Sequence, residues 1–482
     1  MKLADLLQNI EVLEVHAHLQ TELTAVISDS RKVIPGCLFV AVSGFSSDGN
    51  RFIPMAMEKG AAVVVTAKKP EQDIPYVLVS SDRLALALLG TNFYGRPAES
   101  MTMIGVTGTN GKTSTTWLLK QVLEQTRGAK VGLVGTMENH IGQEIVPTER
   151  TTPESIELQE LFSRMRDAGC SYAVMEVSSH ALELDRVGGI IFDVAAFTNL
   201  TEDHLDFHKT MEAYCDAKAI LFRRCRRAVV NGDDPWTPRI LAGCTAPVIT
   251  ATVGGNGSLR AENVELRADG VSFTAICGEE SVQIQVGIPG KFTVRNVLSV
   301  LGIALQLGIS LEESAKVLAT VSGVKGRVEV VPTPGTEYTV LIDYAHTPDG
   351  LENVLSSVKN VCKGRLIAVF GCGGDRDPIK RPIMGKIGVD IADLAIITSD
   401  NPRTEEPATI IRDIVAGLGD AKNYEVVENR PNAIKYAMDI AKKGDIIVLA
   451  GKGHETYQEI MGVKHHLDER EVVAEHLAEM RK

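Results

Sequence analysis

A glycine loop between an apolar run and a helical pattern, strands alternating with helices over the final third, and a length beyond one ordinary core predict an α/β protein of three domains. These are a small N-terminal α/β domain over 1–99, a central P-loop ATPase-type domain over 100–327 and a C-terminal Rossmann-like domain over 328–482. The glycine loop carries most weight. Met101 to Val106 is apolar, Thr107-Gly108-Thr109-Asn110-Gly111-Lys112-Thr113-Ser114 follows, and Leu118, Leu119, Val122 and Leu123 then fall on one helical face. Glycines let backbone N–H groups converge on anionic oxygens, and the helix N-terminus adds partial positive charge. Lys112 can reach outer phosphates and the Thr113 hydroxyl can ligate Mg2+. The strict G-x-x-x-x-G-K-[ST] pattern is not met, because five residues separate Gly105 from Gly111, but a nucleoside triphosphate site is the reading.

Composition narrows the class. With 44% hydrophobic and 23% charged residues the chain reads as soluble and globular, and a net charge of -12 argues against nucleic acid as partner. No apolar run approaches the ~18 residues that would span a bilayer, so no membrane partner is expected. Met1 to Ile10 lacks a sustained apolar core, so no secretory signal is read. The eight cysteines form no C-x-x-C pair and read as reduced thiols of a cytoplasmic protein.

In the first domain, Leu38–Val42 and Ala61–Thr66 read as strands with a helix, Phe52–Lys59, between them, and Ser28-Asp29-Ser30-Arg31 reads as a polar turn. In the second, Lys130–Gly135 reads as a strand and Thr151-Thr152-Pro153 as the approach to a helix over Ser155–Ala168. Tyr172–Val177 is a strand ending at Glu176, and a carboxylate at a strand's carboxyl end beside a phosphate loop suits a metal ligand. A strand over Val194–Phe197 leads into the polar run Thr198 to His208, which by itself reads as a capped helix start with solvated charges. Lys218 lies in a helical stretch, Ala213–Phe222, where a lysine is ordinarily solvated. Pro289 to Asn296 opens another helix, and Gly323 to Glu329 reads as a linker. In the third domain Thr339–Asp343, Arg365–Phe370, Leu394–Thr398 and Ile446–Ala450 alternate with helices, which implies a mostly parallel sheet with ligands beyond its carboxyl ends. Each end carries a polar cluster: Asp343 to Pro348, Gly371 to Asp377, Ser399 to Arg403 and Gly451 to Glu455.

TGTNGKTS resembles the phosphate loop of the Mur ligase family and of its cousin, folylpolyglutamate synthetase. Further motifs along nearly the whole chain resemble the former: Asp29-Ser30-Arg31, Met175-Glu176-Val177-Ser178-Ser179-His180, Ala217-Lys218, Asp400-Asn401-Pro402-Arg403 and Gly451-Lys452-Gly453-His454-Glu455. The resemblance implies that Ser30, Thr151, Thr152, Ser178 and Arg186 contact a UDP-linked substrate in the first two domains. It implies that Glu176, His204 and Lys218 join Thr113 around Mg2+, with Lys218 carried as a carbamate (N6-carboxylysine), and that these residues and Lys112 are catalytic. It also directs Asn296, Arg327, Asp343 and His346 at ATP. Phe45, Ser46, Ser47 and Leu184 depart from the family pattern in the substrate region.

The D-N-P-R motif resembles that of members adding meso-diaminopimelate, with Arg376, Asp400, Asn401, Pro402, Arg403, Gly451 and Glu455 as the acceptor site. The chemistry agrees, because diaminopimelate has a second carboxylate at its far end that a guanidinium pairs with bidentately, whereas lysine has none. The implied reaction joins meso-diaminopimelate to a UDP-N-acetylmuramoyl dipeptide through an acyl phosphate, in cytoplasmic peptidoglycan precursor synthesis, with ATP and Mg2+ as cofactors. Domain closure would exclude water from the acyl phosphate, and a monomer is expected. L-lysine as acceptor, a folylpolyglutamate-type ligase, and a nucleotide switch that ligates nothing are the alternatives.

Overall fold

Runs rich in Val, Ile and Leu pair into sheets at the positions where strands are expected. The computed structural model describes residues 1–44, 48–321 and 323–480, so Phe45, Ser46 and Ser47, where the family pattern is broken, lie outside the described residues. The chain divides into two units, Met1–Leu259 with Ser299–Ser310 and Arg260–Leu298 with Leu311–Lys482.

The first unit holds two sheets. The N-terminal one contains β1 (Val12–His16), β2 (Val26–Ile27), β3 (Leu38–Ala41), β4 (Val63–Thr66) and β5 (Tyr76–Val79), in the order β1-β5-β4-β3-β2. Only β1 runs antiparallel. Helix Asp82–Phe93 covers it, its start capped by Ser81, whose side chain accepts from the Leu84 N–H.

The second sheet is built on β6 (Thr102–Thr107), with β7 (Val131–Val134), β8 (Asn139–Ile141), β9 (Glu144–Val146), β10 (Tyr172–Glu176), β11 (Val194–Phe197), β12 (Ala228–Asn231) and β13 (Val248–Val253). Within this unit the order is β13-β12-β11-β6-β10-β7-β8-β9. β6 is flanked on both sides by parallel strands, β10 and β11. It is therefore apolar on both faces, as a central parallel strand must be, and its carboxyl end opens onto the glycine loop.

The second unit contains β14 (Leu259–Arg267), β15 (Gly270–Cys277) and β16 (Glu280–Val286), with β15 and β16 antiparallel. Its larger sheet comprises β17 (Glu329–Val331), β18 (Thr339–Asp343), β19 (Leu366–Phe370), β20 (Leu394–Ile397), β21 (Tyr424–Val426) and β22 (Ile446–Ala450), in the order β17-β18-β22-β19-β20-β21. All but β17 are parallel, as expected. Helices Pro348–Lys359, Lys380–Ile391 and Pro407–Val415 bury Leu351, Met384 and Ile414 on one face. Helices Arg430–Ile440 and Glu469–Met480 bury Ile434 and Val473 on the other. A separate hairpin, β23 (Tyr457–Ile460) with β24 (Val463–His466), follows.

The α/β, three-domain fold class stands. Strands over Val194–Phe197, Thr339–Asp343 and Ile446–Ala450 keep the expected bounds, while most other ends move by one or two residues. Sequence reading passed over β1, β5, the β14–β16 strands and the hairpins. Asp269-Gly270, at the turn before β15, is a hairpin signal present in the sequence. Every cysteine is a free thiol. Among the described residues no helix is long and apolar enough to cross a membrane.

Candidate functional site

The glycine loop leaves β6 and enters helix Lys112–Arg127 at Gly111, whose φ of 84° and lack of any side-chain cap leave the first-turn N–H groups available to a ligand. Gly108 has φ 145°, and a Cβ there would meet Thr198 Oγ1 at 1.9 Å, so only glycine fits. The loop is held from one side by the segment after β11. The Thr109 N–H donates to the Asn199 carbonyl (2.8 Å), the Asn110 N–H to Asn199 Oδ1 (2.9 Å), and Thr198 Oγ1 to the Asn110 carbonyl (2.6 Å). The half-buried Thr113 and Ser114 occupy the helix's first turn.

Two lysines grip the same loop. Lys112 Nζ donates to the carbonyls of Gly108 (2.9 Å) and Thr109 (2.8 Å), and Lys218 Nζ donates to that of Gly108 (3.0 Å). Lys218 is 1% exposed, and its ammonium lies over the Tyr214 ring, 4.4 Å from the centroid. Burial first, then the nearby Lys112 charge, pushes the Lys218 amine well below the ordinary lysine range. The neutral amine is the form that adds CO2, so this environment fits the expected carbamate. A carbamate, the Glu176 carboxylate and the Thr113 hydroxyl form a hard oxygen donor set suited to Mg2+.

Glu176, at the end of β10, is 1% exposed, and Thr136 donates to it twice, through its N–H and its hydroxyl (2.9 Å each). Thr136 Oγ1 also lies 3.0 Å from Thr151 Oγ1. Thr152 Oγ1 donates to the Glu176 carbonyl (2.9 Å) and accepts from the Ser178 N–H (3.1 Å), while Arg186 Nη1 donates to the Thr152 carbonyl (3.2 Å). Thr151, Thr152, Glu176, Ser178 and Arg186 are thus brought together. Arg186 is further paired with Glu154 at 2.8 Å.

His204 is exposed, in the left-handed region at φ 54°, with its ring against His180 (4.9 Å) and Tyr214 (6.0 Å between centroids). Tyr214 lies 3.2 Å from Thr109 Oγ1, and burial pushes its phenol up to about 12. Among the described residues no group of three or more His, Cys, Asp and Glu side chains converges on one metal position. The expected set has only Glu176 and His204 of those types. Ser30 stands apart in the short helix Ser30–Lys32, its carbonyl accepting from Lys59 Nζ (3.0 Å).

In the second unit the polar clusters gather beyond the carboxyl ends of β18, β20 and β22. Asp343 is buried and accepts from the N–H groups of Val328 and Ala345 (2.8 Å each), and burial holds its carboxyl above the usual range. Its carbonyl accepts from the Gly451 N–H (3.0 Å). The Tyr344 ring meets Arg327 at 5.3 Å and His346 at 4.6 Å, which gathers the residues expected to face ATP on this side. Asn296 is buried on helix Lys291–Gln306.

Arg403 is in the left-handed region at φ 51°, fixed by backbone bonds to β23 and the residue after it: its N–H donates to the Glu459 carbonyl and its carbonyl accepts from the Met461 N–H. Its Nη1 donates to the Gly374 carbonyl (2.7 Å), and its Nε lies 3.4 Å from Glu459 Oε2. Asp400 is 3.8 Å from Nη1 of the fully buried Arg430, which also pairs with the buried Glu469 at 2.7 Å. A Cβ on Gly451 would meet Asp400 Oδ2 at 2.5 Å. Asn401 Nδ2 donates to Glu455 Oε2 (2.8 Å). Pro402 is buried, and Arg376 is exposed on its loop with Nη1 3.4 Å from the Asp375 carbonyl.

Thr136, Asn199, Tyr214, Arg430, Lys452, Glu459 and Glu469 were missed as site residues. Asn199 lies in a polar run that was singled out, and Lys452 lies inside a quoted motif. Tyr214 lies one helical turn before Lys218, a local signal that was not used, whereas the partners of the others are distant in the chain.

Three family models match the chain: "Mur ligase family, catalytic domain" at residues 22–96, "Mur ligase middle domain" at 106–304 and "Mur ligase, glutamate ligase domain" at 326–453. The chain is 48% identical over 465 residues to the UDP-N-acetylmuramoyl-L-alanyl-D-glutamate–2,6-diaminopimelate ligase of Clostridium botulinum, covering 95% of this chain and 96% of that protein. To the ligase of the same name from Clostridium tetani it is 47% identical over 487 residues, covering 100% of each. A solved structure of a ligase of that name is 30% identical with a TM-score of 0.77, covering 100% of this chain and 99% of the other.

Proposed function

This chain belongs to the Mur ligase family, and on that premise we propose that it is an ATP-dependent ligase adding meso-diaminopimelate to the D-glutamate of UDP-N-acetylmuramoyl-L-alanyl-D-glutamate. The observation that carries the choice of acceptor is Arg403, locked in a left-handed conformation with its side chain against Gly374 and Glu459, where its guanidinium can pair with the acceptor's far carboxylate. The expected chemistry has two steps. The D-glutamyl carboxylate takes the γ-phosphoryl group of ATP, giving an acyl phosphate and ADP. The acceptor amine then attacks the acyl carbon, and phosphate leaves as the amide forms.

The roles assigned to the chain's own residues are those that the family resemblance implies. Gly108 to Ser114 bind the phosphates through backbone N–H groups, and Lys112 leaves its loop carbonyls to offset charge on the transferring phosphoryl group. Thr113, Glu176, His204 and carbamylated Lys218 would hold Mg2+, which when bound would supply charge neutralisation at the phosphates. Ser30, Thr151, Thr152, Ser178 and Arg186 bind the UDP-linked substrate. Asn296, Arg327, Asp343 and His346 complete the ATP contacts, and Arg376, Asp400 to Arg403, Gly451 and Glu455 the acceptor site. The division of labour is 1–99 for the UDP substrate, 100–327 for ATP and 328–482 for the amino acid. The setting is cytoplasmic peptidoglycan precursor synthesis, with the protein acting as a monomer.

The test is ADP release with the UDP-muramoyl dipeptide, comparing meso-diaminopimelate with L-lysine and weighing the product. Turnover with diaminopimelate alone is expected. Turnover with lysine keeps the fold and mechanism but removes the role of Arg403, and ADP release without an amide product indicates a nucleotide switch instead. Incubation with 13C-bicarbonate should give a carbamate carbon resonance that Lys218→Ala lacks.

A further inference from the structure

We propose that Lys452, which touches no ligand itself, is a positioning residue that orients Asn401 and Glu455 for the acceptor amino acid. The proposal rests on the ligase reading above. Lys452 follows β22 and is 0% exposed, yet it carries a cationic head. Its Nζ donates to Asn401 Oδ1 (3.0 Å) and to Glu455 Oε2 (3.2 Å), with the Tyr457 ring 5.7 Å away.

Donor and acceptor chemistry then allows one arrangement. A lysine head only donates, so the Asn401 amide must turn its oxygen to Lys452; a carboxylate only accepts, so the same amide must turn its nitrogen to Glu455. Asn401 Oδ1 also accepts from the Glu459 N–H (3.0 Å), which ties the triad to β23. Asn401 Oδ1 thus receives two donors, and Glu455 Oε2 receives two, from Lys452 and Asn401 (2.8 Å). Glu455 Oε1 is left to receive an ammonium of the ligand. Asn401 therefore acts as a cross-brace, its oxygen already committed. Burying an ammonium is costly unless it is paired and hydrogen-bonded, and here its partners are two residues of the acceptor site. A side chain that merely filled space could be apolar.

The experiment measures KM for meso-diaminopimelate and for ATP, with kcat, in the wild-type chain and in Lys452→Met, Lys452→Arg, Glu455→Gln and Lys452→Met/Glu455→Gln. Lys452→Met should raise KM for diaminopimelate about tenfold or more, while KM for ATP stays within about twofold. Lys452→Arg, also donor-only, should recover part of the loss. The double variant should be no worse than the poorer single one, because both changes act through one carboxylate. If Lys452→Met fails to fold, Asn401→Asp, which puts a second carboxylate against Glu455, should give the same split. Normal diaminopimelate saturation in Lys452→Met, equal rises in both KM values, or multiplying effects in the double variant overturn the proposal. Those outcomes require a wild-type enzyme that turns over diaminopimelate; a wild-type chain that does not overturns the ligase reading, and this proposal with it.

Discussion

The glycine loop of the first unit and the proposed acceptor cluster of the second are both polar groupings at the carboxyl ends of parallel strands, but they are built from different parts. The loop is a backbone device: two glycines with positive φ, an uncapped helix start, and carbonyls gripped by Lys112 and Lys218. The cluster is a side-chain device in which Arg430 with Glu469 and Arg403 with Glu459 neutralise one another across long stretches of sequence, and Lys452 pairs with Glu455 three residues on. A backbone site fails when a single Cβ intrudes. A side-chain site fails when one charge is left without its partner.

The largest effect should come from the backbone device. Gly108→Ala forces its Cβ to within 1.9 Å of Thr198 Oγ1, so nucleotide binding and ADP release should fall by about a thousandfold, with the thermal midpoint little changed. Binding of a fluorescent ATP analogue checks this, and retained affinity would erase the contrast between the two sites. Arg430→Met should act mainly on stability. It leaves Glu469 buried without its partner, costing about 3–5 kcal/mol, and Arg430→Met/Glu469→Gln should restore much of that in denaturant titrations.

Arg403→Ala should raise KM for diaminopimelate by about 10–100-fold while sparing ATP, since a charge-assisted pair is worth about 1.5–3 kcal/mol. Equal damage to both substrates would mean that Arg403 only braces the Gly374 loop. The smallest effect concerns acid. His208 is buried against Tyr214 and Ser179, and burial, with the charge of His180 adding to it, lowers its imidazole to about 4 from 6.5. The unfolded chain therefore binds more protons between those values, so stability is full above about 6.5 and is lost as the pH falls towards 4. Thermal midpoints at pH 7 and pH 5 should diverge by about 2 °C less in His208→Gln than in the wild type.

Much of the fold could be read in the chain alone. Buried parallel strands such as Val194–Phe197 and Ile446–Ala450 are unbroken apolar runs, whereas β1 and β14 alternate with polar residues and escaped notice. The glycine loop was equally legible, because a phosphate cradle is made by neighbours in sequence: strand, glycines, lysine and helix start. Glu176 was reached from its place at a strand's carboxyl end, and Arg403 through a motif that resembles a family's.

Tertiary structure decided what those residues lean on. Thr136 beneath Glu176, Asn199 behind the glycine loop and Tyr214 against Thr109 are matters of which strands and helices lie side by side. Lys452 is the sharpest case: in sequence it is one more lysine between glycines, and only burial and the forced orientation of the Asn401 amide make it an organising charge. Local chemistry is written in residue order, since backbone conformation depends on near neighbours. The pairing of buried charges depends on which distant segments the sheet brings to one edge, and that is settled only when the chain folds.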